Sequence, residues 1–63
     1  MKHEFICATF LEDGKSLYQR EVCNSASEAL EKATKWREQG YKSQAYLHAI
    51  DTETYEIYVF PLN

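Results

Sequence analysis

Apolar residues fill both alternating sets of positions along the last third of the chain. From Gln44 to Phe60, one set contains Tyr46, His48, Ile50, Tyr55, Ile57 and Val59, and the other Ala45, Leu47, Ala49, Tyr58 and Phe60. Side chains alternate sides along a strand, so this stretch predicts a β-hairpin that is greasy on both faces. Asp51-Thr52-Glu53-Thr54 supplies the turn, and Pro61 ends the ladder because it has no N–H to give.

The N-terminal third predicts a second hairpin. Glu4 to Leu11 is rich in aromatic and β-branched residues and reads as a central strand. Asp13-Gly14 is a short-range turn signal, and the more polar Ser16 to Val22 suits an edge strand. A two-residue turn at Asp13-Gly14 pairs Phe10 with Leu17, Thr9 with Tyr18, Cys7 with Arg20 and Phe5 with Val22. That register places Phe5, Cys7, Thr9, Tyr18 and Val22 on one face and Ile6, Ala8, Phe10 and Leu17 on the other.

Between the hairpins lies a helix. Ser25-Ala26-Ser27-Glu28 is a capping box, with a Ser hydroxyl for the Glu28 N–H and a carboxylate that reaches back. The stripe Ala26, Ala29, Leu30, Ala33, Trp36 carries the helix to about Gln39, and Gly40 stops it.

The order is therefore β-β-α-β-β: an α+β two-layer sandwich, one helix packed on a four-stranded, mainly antiparallel sheet. Spatial orders 2-1-3-4 and 2-1-4-3 both satisfy the connections. The Ala45-Leu47-Ala49 side suits close packing under an alanine-lined helix. Tyr46, His48, Ile50, Tyr55, Ile57 and Val59 then face outward.

Composition narrows the chemistry. Sixty-three residues with 44% hydrophobic content form one small domain with a real but marginal core. A net charge of −3 disfavours non-specific nucleic-acid binding, which needs a basic surface. No apolar stretch has the length of a signal peptide or membrane span, so the expected location is the cytoplasm.

Candidate reactive groups are few. Cys7 and Cys23 fall on opposite faces in the register above, which predicts free thiols rather than a disulfide. His3, Cys7, Cys23 and His48 lack the short clip spacing of a metal site, and no cofactor is implied. A Cys7–His48 dyad has no orienting third group, and no glycine-rich phosphate loop exists. The expected function is therefore a non-enzymatic protein-interaction module, with no small-molecule substrate.

Its partner-binding face is Tyr46, His48, Ile50, Tyr55, Ile57 and Val59, docking on a protein partner or on a second copy as a homodimer. An acidic domain of this size also suits a phage- or mobile-element-type modulator that blocks a host enzyme. The alternative is a single-stranded nucleic-acid binder that stacks bases on the sheet-face tyrosines.

Overall fold

The computed structural model describes residues 1–62. Its elements are β1 (Lys2–Phe10), β2 (Leu17–Cys23), α1 (Ala26–Glu38), β3 (Lys42–Ile50) and β4 (Ile57–Pro61). One helix packs on a four-stranded sheet of order β2-β1-β3-β4, and every neighbouring pair of strands is antiparallel.

Local chemistry accounts for the helix ends. Ser25 holds an extended backbone, and its hydroxyl accepts from the Glu28 N–H at 3.1 Å. The Glu28 carboxylate accepts from the Asn24 N–H at 2.8 Å, one residue further back than an ideal box. At the other end the Tyr41 N–H donates to the Trp36 carbonyl and the Gly40 N–H to that of Arg37, a Schellman motif. That motif requires a left-handed residue, which Gly40 supplies at φ 93°. Its apolar clasp is the edge-on contact of Tyr41 with Trp36, ring centres 5.1 Å apart, and Tyr18 stacks on Tyr41.

The strand order decides where the helix lies. β2 and β3 are parallel, with β1 between them, so α1 must cross over β1 to join them. A helix is about 10 Å across and strands are about 4.8 Å apart, so one helix covers roughly two strands. The helix packs on β3 and β1, touches β2 less, and has no Cα within 8 Å of any in β4. Between helix and sheet, Cys7, Cys23 and Ala45 meet Ala29 and Ala33 of α1 to form the core, with Phe5, Leu30, Trp36 and Leu62 packed around them. Alanine on both layers permits the close approach.

The first hairpin departs from the sequence expectation. The loop is longer than the two residues Asp13-Gly14: the Leu11 N–H donates to the Ser16 carbonyl, and the Asp13 carboxylate accepts from the N–H groups of Lys15 and Ser16 and from the Ser16 hydroxyl. Phe10 does oppose Leu17, but a bulge follows and the register slips by one. Cys7 then opposes Glu21, and Phe5 opposes Cys23. The slip swaps the faces of β2. Val22 turns outward and is exposed, whereas Cys23 joins Cys7 in the core. The two cysteines are therefore on one face, not opposite faces, and both are free.

The second hairpin corrects one further expectation. β4 begins at Ile57, so Tyr55 belongs to the turn and not to the strand face. The Tyr55 N–H donates to the Asp51 carbonyl, and Tyr55 then reverses the chain at φ 61°.

Candidate interaction surface

The alanine side of β3 lies under the helix, through Ala45. Register then places Tyr46, His48, Ile50, Ile57 and Val59 together on the outward face. Tyr46, His48 and Ile50 are half-buried there. Ile57 and Val59 are exposed, and Tyr55 projects from the turn at 80% exposure.

The outward face has two parts. Its centre is closed: Ile6 is only 1% exposed and Ala8 is buried, although no helix covers them. Val22 and Tyr46 flank Ile6 from the neighbouring strands. The Arg20–Glu4 ion pair reaches across the same region. Its β4 end is open.

Exposure at β4 is not confined to that face. Ile57, Tyr58, Val59 and Phe60 are 57, 44, 52 and 52% exposed, so outward and helix-side residues alike remain accessible. The reason is the crossover: α1 is tethered between β2 and β3, and β4 lies outside its reach. The alternation places Tyr46, His48, Ile50, Ile57 and Val59 outward as the register does, but it also groups Tyr58 and Phe60 with the alanine positions under the helix, and the structure leaves both exposed. The signal was present in the order 2-1-3-4, which puts the fourth strand beyond the crossover.

The outer edge of β4 has a defined hydrogen-bonding character. The Leu62 N–H donates to Ala45 and the Asp51 N–H to Glu56. In an antiparallel ladder, bonded and non-bonded pairs alternate. Tyr58 and Phe60 thus direct their backbone groups to β3, while Ile57, Val59 and Pro61 direct theirs to the free edge. Pro61 therefore loses no ladder bond. No residue of β4 carries a charge, whereas the opposite edge strand holds Arg20 and Glu21.

Reactive groups elsewhere are absorbed by structure. Cys7 opposes Ala45 on the helix side, and His48 opposes Glu4 on the outward side, so the two point to opposite faces. His3 is exposed near the far end of the sheet, away from the buried thiols. Burial pushes the Cys23 thiol pKa up, and nearby Lys32 offsets this only in part. Thr9 and Ser43 share a buried hydrogen bond at 3.0 Å, and Ser43 also donates to the Ala8 carbonyl. Among the described residues no buried side-chain polar atom lacks a partner and no group of metal-ligating side chains gathers. A groove of about 200 Å³ between Phe10, Leu11, Glu12, Gly40, Tyr41 and Lys42 is spanned by a bond from Lys42 to the Glu12 carbonyl. No helix of the described residues is long and apolar enough to cross a membrane.

No family model, curated protein or solved structure matches this chain.

Proposed function

We propose that this chain is a non-enzymatic protein-interaction module whose docking element is β4 with the adjoining Ile50. One observation carries the reading: four consecutive large apolar side chains, Ile57 to Phe60, are exposed on both faces of an uncharged edge strand. Scattered exposed apolar residues are ordinary on a soluble protein, but a contiguous patch marks an interface. An open strand edge adds a row of backbone donors and acceptors that a partner strand satisfies.

Several features support this reading over its competitors. Both thiols are buried, and burial also raises the pKa of Cys23, which makes it a poor nucleophile. The tyrosines a base-stacking surface would use do not make a platform: Tyr46 is half-buried opposite Ile6 and beside His48, and Tyr55 has left the sheet. Small size and net negative charge also suit a modulator that docks on a host enzyme.

The test is affinity capture by the full chain, compared with a variant carrying Ile57→Glu and Val59→Glu. Both positions are solvent-exposed, so the variant is expected to fold. The reading predicts a stoichiometric protein partner, or the chain itself, that the variant loses. Association that the variant retains in full, or no association of any kind, contradicts it.

A further inference from the structure

We infer that the occupant of the β4 edge is a second copy of this chain, paired antiparallel through β4 to make one continuous eight-stranded sheet. The inference rests on the interaction reading above and gives it a partner and a geometry. Three observations converge on it.

The first is the backbone. Ile57 and Val59 present their N–H and C=O groups to the free side, and an antiparallel copy of the same strand presents the same groups in return. A two-fold interface needs such a self-complementary patch. Pro61 has no donor, so it ends the pairing at that end of the strand.

The second is the charge pattern. β4 is neutral along its length, while Asp51, Glu53 and Glu56 cluster at its N-terminal end. Antiparallel pairing sets each acidic turn beside the partner's Pro61 and Leu62. The two turns are then separated by the length of the strand, about 17 Å, twice the screening length at physiological salt. Parallel pairing would bring six carboxylates together. The other edge, β2, exposes Arg20 and has no comparable apolar run.

The third is the overhang on both layers. Tyr58 and Phe60 lie on the helix side of β4, where no helix reaches. In the pair, the helix-side shelves of the two copies meet between their helices, and Ile57 and Val59 meet on the outward side. An added strand thus shelters both exposed faces together, which a partner lying on one face does not. Four half-exposed side chains per copy bury less than the roughly 800 Å² per partner of a standard interface. The pair is accordingly a weak, concentration-dependent one.

The experiment is sedimentation equilibrium of the chemically synthesised full chain from micromolar to millimolar concentration. It is compared with the same chain N-methylated at Val59 and with Ile57→Lys. N-methylation removes a donor that faces the free edge and leaves the bonds to β3 intact. Circular dichroism and amide protection at Tyr58 and Phe60 establish that each variant is folded, and Ile57→Lys carries the test should the methylated chain unfold. The inference predicts a monomer–dimer equilibrium weakened at least about tenfold by either change.

A strict monomer across the range overturns the pairing. If capture still finds a partner that Ile57→Glu and Val59→Glu abolish, the interaction reading survives with a different protein on the strand. A dimer insensitive to N-methyl-Val59 also overturns the pairing, since it places the contact elsewhere.

Discussion

The guanidinium of Arg20 lies 3.9 Å from the carboxylate of Glu4, although the register sets Arg20 opposite Ala8, four residues along β1 from Glu4. To span that offset, the arginine stem runs along the outward face past Val22 and Ile6. An exposed pair at this distance contributes at most about 1 kcal/mol by charge. A methylene stem on that path also covers apolar surface while its charged head stays wet. Ile6, the largest fully buried side chain among the described residues, sits on the side of the sheet that has no helix.

Ile6 and Val59 share that face and differ in burial, which gives the first prediction. Ile6→Ala should cost about 2–5 kcal/mol, and Val59→Ala no more than about 0.5 kcal/mol. Urea unfolding of the two variants measures the contrast. Equal losses would remove Ile6 from the core.

Tyr55 holds a left-handed backbone at φ 61° while its ring is 80% exposed. That conformation costs an L-residue roughly 1–2 kcal/mol, and glycine adopts it freely at an entropic cost of about 0.5–1 kcal/mol. Tyr55→Gly should therefore leave stability unchanged or raise it by up to about 1.5 kcal/mol, read as a higher urea midpoint. A clear loss would mean that the ring makes contacts the fold needs.

The Asp13 carboxylate accepts three hydrogen bonds within its loop, and these hold its pKa down to about 2. A group whose folded pKa lies below its unfolded value stabilises the fold above the unfolded value, and that contribution disappears as pH falls. For Asp13 the window runs from the ordinary carboxylate pKa of 3.8 down to about 2. Carbon-detected titration should find the Asp13 midpoint near the lower end. Asp13→Ala should remove this part of the acid dependence and loosen Leu11 to Ser16. A midpoint near 3.8 would contradict the loop geometry.

Much of this architecture was legible in the residues. Ser25, Glu28 and Gly40 mark the helix ends, and Ala45, Leu47 and Ala49 against Tyr46, His48 and Ile50 sort the faces of β3. Asp13-Gly14 misled, because the Asp13 side chain caps Lys15 and Ser16 and widens the loop beyond two residues. A one-residue slip after Leu17 then reverses the side chains from Gln19 to Cys23, which brings the two cysteines to one face. Tyr55 misled for a related reason: an aromatic residue at the start of an apolar run reads as strand, and nothing local announces a left-handed turn. The openness of β4 on both sides depends on where the helix crosses, a tertiary fact that follows from strand order and not from periodicity.

The shared core position of Cys7 and Cys23 predicts slow chemistry. Both thiols should alkylate at a rate set by opening of the fold, rising with urea in parallel with unfolding. A thiol that reacts in the native protein as fast as in the unfolded chain would contradict its burial.

Amide exchange at Ile57, Tyr58, Val59 and Phe60, followed by NMR as concentration rises, tests the central claim most directly. The Tyr58 and Phe60 N–H groups, turned to β3, should be protected at every concentration, while those of Ile57 and Val59 should exchange freely when dilute and become protected as copies pair. Free exchange at Ile57 and Val59 that persists at the highest concentration, or protection already present in the dilute monomer, would contradict it.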